Sequence, residues 1–583
     1  MTKLNTEQKS ILQLFQDTRA EFLIPDYQRP YAWGEKECQT LWDDIFSFAF
    51  PDNSSDKFNS QTDEYFLGPI VTFKNDSGQM EVIDGQQRLT TLLLLLRAFY
   101  ERFSHMQYEE ATETTKLIAR CIWKTNEFGK PNMETLKIDS EVASDRHKEE
   151  LKNILRSGIT TKEQDSAYAQ NYRFFQKQID DFIYSFPVFA AFLPIRILNN
   201  CILLIIEAES QDTALRIFST LNDRGMPLSD ADIFKAQFYK HYSQQGKKDE
   251  FIKQWKQLEE LCEKIFNPIS GTPMDELFTR YMYYERSLQG ITSSSVAALR
   301  KFYDRDGYAL LKRNETFENL KLLADFWNDV ANQDCDRFTD RVLRRLFVLH
   351  YAPNGMWLYF VSVYFMHNKD ANCLLDDDKF YQFLNKITAF IWAYAIYRPG
   401  LNALRTPVFA EMANIVNGKD VDFAKFKFNA QNLRNMLDNY SFFNSRTITK
   451  SMLAWWAFND DAQPLMKLET PFDTEHIFAR NRVSHESMSN PKSVEMLGNK
   501  ALLEARINIR ASDYKFEDKK KYYRGYTNSR NQQKDGTQVV ELLRLADTMP
   551  DFTEADITHR TSEMFDTFIN YLRTNNLLEE SQA

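Results

Sequence analysis

Val82-Ile83-Asp84-Gly85-Gln86-Gln87-Arg88-Leu89-Thr90-Thr91 runs from an apolar strand, through a glycine turn, straight into a helix. This junction decides the N-terminal fold. Upstream, Tyr65 to Phe73 and Met80 to Ile83 are apolar, β-rich runs joined by Asn75-Asp76-Ser77-Gly78, a hairpin signal. Downstream, Leu89 to Phe103 has helical periodicity, with Arg97 and Arg102 assigned to its polar side. Cys201 to Ile206 reads as another buried strand, and Ser229-Asp230-Ala231-Asp232 as a capping box opening a helix toward Tyr242. Residues 1–245 are therefore expected to be a mixed α/β domain.

From 246 to 450 the pattern is almost wholly helical, with Trp, Phe and Tyr at three- and four-residue spacing, and predicts an all-α connector. Residues 451–583 hold a third expected domain followed by a helical tail. The fold class is α+β, multidomain. No repeat, low-complexity segment or Pro/Gly-rich linker separates the parts.

The chain has 583 residues, too many for one core. Its 43% hydrophobic and 26% charged content is that of a folded protein. A net charge of −10 argues against non-specific nucleic-acid binding by the whole surface, though not against a local basic channel. Six scattered cysteines without a C-x-x-C spacing suggest a reducing compartment and no structural zinc site. The start, Met1-Thr2-Lys3-Leu4-Asn5, lacks an apolar signal core, and no apolar run is long enough to span a bilayer. A soluble, cytoplasmic protein with no membrane partner is expected.

The strand–glycine–helix junction has a direct chemical reading. A helix N-terminus offers free N–H groups and a positive dipole end to an anion. Gln86, Gln87 and Arg88 add side-chain donors there, and Arg88 can grip a phosphate bidentately. Asp84 is a candidate magnesium-binding or catalytic carboxylate beside it. In Ile24-Pro25-Asp26-Tyr27-Gln28-Arg29-Pro30-Tyr31-Ala32-Trp33, the aromatics Tyr27, Tyr31 and Trp33 could stack on a base or line an apolar pocket. A third cluster, Phe218 to Leu228, contains Asn222-Asp223-Arg224-Gly225, ordinarily a helix C-terminus with a left-handed glycine.

At the other end, Glu475-His476 is followed by Leu497-Gly498-Asn499-Lys500 and Arg506-Ile507-Asn508-Ile509, the spacing that an HNH-type, ββα-metal nuclease site needs. In such a site a short hairpin and the following helix clasp one divalent cation. His476 is the expected general base, Glu475 and Asn508 the expected ligands of Mg²⁺ or Mn²⁺, and Asn499 the bridge that orients His476 through its backbone. Gly498 lets that loop close. His485 sits in a polar loop without partner spacing. Residues 500–534 carry ten basic side chains against four acidic ones, a net +6 in an acidic chain. A solvated helix face is the ordinary meaning of such a run. Beside a nuclease motif it becomes a candidate DNA surface, with Lys500, Arg506 and Lys519 as candidate phosphate contacts.

The Ile-Pro-x-Tyr-Gln-Arg-x-Tyr-x-Trp, Asp-Gly-Gln-Gln-Arg and Leu-Asn-x-Arg-Gly signatures resemble the ParB/sulfiredoxin-like nucleotide-binding domain of GmrSD-type (BrxU- and SspE-like) modification-dependent restriction endonucleases. Those proteins pair it with a C-terminal HNH domain, in the order seen here. The resemblance implies a nucleotide-regulated endonuclease against modified foreign DNA, using a nucleoside triphosphate of unread base and possessing NTPase capacity. It places Gln28, Arg29, Asp84, Gln86, Gln87 and Arg88 around the nucleotide, with Asn222 and Arg224 contributing. It ties the Tyr-Gln-Arg segment to sensing of a DNA modification, and Phe516, Lys519 and Tyr523 echo the family's Phe-x-x-Lys-x-x-x-Tyr tail. Double-stranded DNA is the expected partner, and a homodimer would cut both strands. The competing readings are a nucleotide-sensing regulatory protein with an inactive nuclease part, and an RNA or tRNA nuclease.

Overall fold

A computed structural model describes residues 5–580, apart from 18–20, 76, 143–144, 146, 212, 215–216, 218–228 and 487. The chain divides into two compact units, 1–257 and 258–583. The structure is mixed α and β throughout, with helices in the majority.

The first unit is built on a six-stranded mixed sheet. Its strands are β1 (Asn5–Ser10), β2 (Phe22–Ile24), β3 (Tyr65–Lys74), β4 (Met80–Asp84), β5 (Ile138–Ser140) and β6 (Cys201–Ala208), in the order β1-β6-β3-β4-β2-β5. The β3–β4 pair is antiparallel, as the Asn75–Gly78 signal predicts. Asn75 Oδ1 accepts from the N–H groups of Ser77 and Gln79, which fixes the turn. Parallel pairing of β3 with β6 buries the Cys-Ile-Leu-Leu-Ile-Ile run at the sheet centre. β1 was not legible. Its Asn-Thr-Glu-Gln-Lys-Ser sequence is polar and largely exposed, an edge strand held by backbone pairing to β6.

Helix α1 (Gln86–Ser104) leaves β4 through Gly85 and lies in the middle of the unit, packed on Glu109–Ile122 and Ala167–Ser185. Leu92 to Leu96 are all buried because the helix is covered around its girth. The expected polar side is therefore half wrong. Arg102 is exposed at its ion pair with Asp180, but Arg97 is buried, donating to Leu155 O and Glu101 and lying against the rings of Tyr100 and Trp123. The Ser229–Asp232 capping box opens Asp230–Gln244 as read.

In the second unit, helices run from Pro273 to Ala457, and no strand occurs among the described residues between 258 and 450. The helices up to 450 belong to the same compact unit as 451–583. Two strands follow, β7 (Phe472–His476) and β8 (Lys500–Glu504), paired antiparallel with Lys500 opposite His476 and Ala501 opposite Glu475. They are not a short hairpin: residues 477–499 connect them through three 3₁₀ turns. Helix α2 (Ala505–Ala511) leaves β8 directly, then come α3 (Phe516–Arg524) and α4 (Glu554–Thr574). Gly498 matters here through close approach, not a left-handed turn. A Cβ there would stand 2.3 Å from Ile557 O and from Thr561 Oγ1 of α4. The six cysteines are free thiols, four of them buried. Among the described residues, no helix is long and apolar enough to cross a membrane.

Candidate functional site

At the β4–α1 junction, Gly85 has φ +91°, and a Cβ would stand 2.2 Å from Ile70 Cδ1. Only glycine turns the chain this sharply against β3. The turn sets Asp84 and Arg88 side by side. Arg88 Nη1 donates to Pro69 O at 2.8 Å, and the guanidinium lies over Gly68, whose missing side chain leaves it room. Burial pushes the Asp84 carboxyl up, opposed by Arg88, the Gly85 N–H and Arg29. Burial likewise lowers Arg88, opposed by Asp84. Arg29, Asp84 and Arg88 thus meet at the N-terminus of a 19-residue helix. Gly68 and Pro69 were missed by sequence reading, since nothing in a strand pattern marks a backbone carbonyl as a guanidinium acceptor.

The other expected ligand groups hold the protein to itself. Gln87 is buried; its Oε1 accepts from Ala32 and Trp33 N–H, and its Nε2 donates to Pro30 O. Gln86 Nε2 donates to Arg29 O, and buried Gln28 donates to Ile83 O. These three amides staple the 25–33 segment to the junction, where they were expected to line a nucleotide. Tyr27 and Tyr31, expected to meet DNA, are core residues. Tyr27 packs on Tyr239 and donates to Glu81. Tyr31 stacks on Tyr168 at 4.9 Å and shares hydrogen bonds with Thr91 and Asn171. Trp33 is partly buried against the same core. The aromatics of this segment were read as able to stack on a base or line an apolar pocket; the two tyrosine rings instead anchor the segment in the core. Asn222 and Arg224 lie outside the described residues.

In the second unit His476 ends β7 beside Asn499, which is fully buried. Asn499 Oδ1 accepts from Phe478 N–H at 2.7 Å; its Nδ2 donates to Phe478 O and Val494 O, and its carbonyl accepts from Ile477 N–H. One asparagine thus fixes the chain on both sides of the 477–499 loop. His476 Nε2 is inaccessible to solvent and has no hydrogen-bond partner among the described residues, with Glu495 Oε1 3.7 Å away. Burial, reinforced by Lys500 and Arg480 and opposed by Glu495, pushes the imidazole down to about 4. Glu495 was not foreseen. It joins Arg480 at 2.9 Å and Lys500 at 2.7 Å in front of His476, and no motif spacing announces it.

Glu475 takes the opposite strand face, as adjacent strand residues must. Its Oε1 accepts from Lys519 Nζ at 2.8 Å and from Tyr523 OH at 2.5 Å, and only 2% of the residue is exposed. Lys519 also donates to His476 O at 2.6 Å. The Phe516, Lys519, Tyr523 spacing puts all three on one buried face of α3. Lys519 is therefore corrected from phosphate contact to internal brace. Lys500 is corrected likewise: it is fully buried, with Phe442 O, Asn444 and Glu495 as partners. Arg506 is exposed, and Asn508 is partly buried on α2. His485 is exposed in its loop.

The residues expected to hold Mg²⁺ or Mn²⁺ do not fit the ion as they stand. An ammonium and a phenol occupy Glu475 Oε1, so a cation would have to displace Lys519 and accept its charge at close range. Among the described residues, no group of three or more His, Cys, Asp or Glu could hold a metal.

Residues 11–239 match the family model described as GmrSD restriction endonuclease, N-terminal domain. No curated protein matches the chain. The matched segment contains the whole β4–α1 junction with Arg29, Asp84 and Arg88. Residues 11–239 are thus similar to the N-terminal domain of GmrSD restriction endonucleases.

Proposed function

We propose that this chain is a nucleotide-regulated endonuclease of modified foreign DNA, with His476 as the general base of phosphodiester hydrolysis in an HNH-like C-terminal site. The observation that carries the nuclease half is His476 itself. Its Nε2 has no hydrogen-bond partner among the described residues, and it ends the first strand of a β7-β8-α2 strand–strand–helix order. Once the Glu495–Arg480 pair in front of it opens to admit water, the neutral imidazole can take a proton from that water while the oxygen attacks phosphorus and the P–O bond to the leaving sugar oxygen breaks. Arg480, half-exposed beside His476, supplies positive charge for the phosphorane oxygens, and Arg506 for the flanking backbone. A base held near 4 is weak. An approaching phosphate would raise it toward neutrality, so substrate itself completes the activation.

For the N-terminal half, Arg29 and Arg88 around the start of α1 support a triphosphate contact, with Asp84 as the group that answers to the nucleotide's charge. The modification-dependent part of the reading rests on the sequence resemblance of the three N-terminal signatures. One observation favours the regulatory reading, in which the nuclease part is inactive: Lys519 holds the Glu475 carboxylate.

The deciding experiment is digestion of phage DNAs with and without cytosine modifications, alongside RNA, with nucleotide varied and with Mg²⁺, Mn²⁺ or chelator. Cleavage confined to modified DNA supports the reading. Cleavage of RNA alone, or none under any condition, overturns it.

A further inference from the structure

The second unit contains a cavity of about 1190 Å³, separate from the His476 site and made by helices Asp340–His350, Asp377–Tyr397 and α4. We propose that it binds a phosphate-bearing small molecule of nucleotide size, gripped by Arg345. Three observations support this. The first is charge: Arg341, Arg344, Arg345, Lys379, Lys386 and Lys419 line the cavity, against Asp420 and Asp461. Some of this charge is answered internally, since Arg341 pairs with Asp377 and Asp378, Arg344 donates to Asp461 O, and Lys386 donates to Val421 O.

Arg345 is the second. It is 8% exposed, and its Nε and Nη1 have no hydrogen-bond partner among the described residues. Buried guanidinium groups are normally paired, because an uncompensated buried charge is strongly unfavourable. An anion in the cavity would resolve this once the Arg345 side chain turns its Nε–Nη1 edge, now closed to solvent, toward the cavity it lines, and guanidinium geometry suits phosphate.

The third is shape and surface. Ligand pockets usually span about 300–1,000 Å³, so this one holds a nucleotide with its water. Tyr364, Tyr381 and Tyr571 line it, with Tyr364 stacked on Phe383 at 4.0 Å, Arg341 over the Tyr381 ring and Arg345 5.6 Å from the Tyr571 centroid. A concave pocket with rings and amides fits a compact ligand better than a duplex backbone.

The test uses the full chain carrying Arg88→Ala, which removes the N-terminal candidate contact. ATP and inorganic pyrophosphate are titrated calorimetrically, with a single-stranded oligonucleotide as a third arm. Saturable binding of ATP or pyrophosphate is expected. Arg345→Met should weaken it at least tenfold, and so should Lys379→Glu/Lys419→Glu, whose exposed rim positions leave the fold intact. The rim variant decides should Arg345→Met not fold. ATP binding without pyrophosphate binding assigns a nucleotide, and the reverse order of affinity assigns a polyphosphate. No binding of either probe, binding unchanged by both variants, or binding of the oligonucleotide alone overturns the proposal. Failure of the N-terminal nucleotide reading would show separately, as Arg88→Ala leaving total nucleotide uptake unaltered.

Discussion

Lys519→Met tests the interior of the C-terminal site. The methionine keeps the bulk of the stem but removes the ammonium from Glu475 Oε1 and His476 O, contacts of 2.8 and 2.6 Å in a place sealed from water. Removing one partner of a buried ion pair costs about 3–5 kcal/mol, because the other charge stays behind. Tyr523 still donates to Glu475, and burial already holds that carboxyl high, so protonation limits the penalty. The lower end, about 3 kcal/mol, is expected. Adding Glu475→Gln removes the stranded charge and should return about 2 kcal/mol as coupling. Hydrogen exchange across Phe472–His476 and Lys500–Glu504 reads the local stability without involving the first unit. A loss below about 1 kcal/mol, or strictly additive variants, would refute the brace and return Glu475 to service as a metal ligand.

Other outcomes follow from the same geometry. With His476 held near 4 in the free protein, kcat/KM for cleavage should be flat from neutrality down to about pH 5 and fall below about 4. The kcat limb should lie higher, because bound phosphate stabilises imidazolium; coincident limbs near 6.5 would contradict the burial argument. Arg88→Ala should weaken nucleotide binding about 10- to 100-fold, as loss of a charge-assisted contact does, while leaving exchange protection at β7 and β8 unchanged. Gly85→Ala places a Cβ 2.2 Å from Ile70 Cδ1 at φ +91° and should destabilise the first unit by at least about 2 kcal/mol in urea unfolding, leaving the second unit's transition in place.

Sequence reading succeeded where local pattern and tertiary role agree. The β3–β4 hairpin, the Gly85 turn, β6 and the Ser229 cap all carry their instructions in adjacent residues. It failed where long-range pairing decides. β1 is polar and is a strand only because β6 offers it an edge, while β2 and β5 are three residues each, too short for periodicity. Arg97 reads as a polar-face residue until neighbouring helices close over it. At the candidate sites, composition did not give the direction of the side chains. Gln87, Tyr31 and Lys519 are donors by type, and the fold uses each as an internal clamp. Asn499 was placed as a loop bridge from spacing, and its five hydrogen bonds lie in that loop.

The most direct test is single-turnover cleavage of a modified DNA by the wild-type chain and by His476→Ala, with folding of the variant checked by exchange at β7. A general base contributes about 10²–10⁴-fold, so a loss of at least a hundredfold in the cleavage step is predicted, with DNA affinity retained. Cleavage by His476→Ala at the wild-type rate would contradict the account.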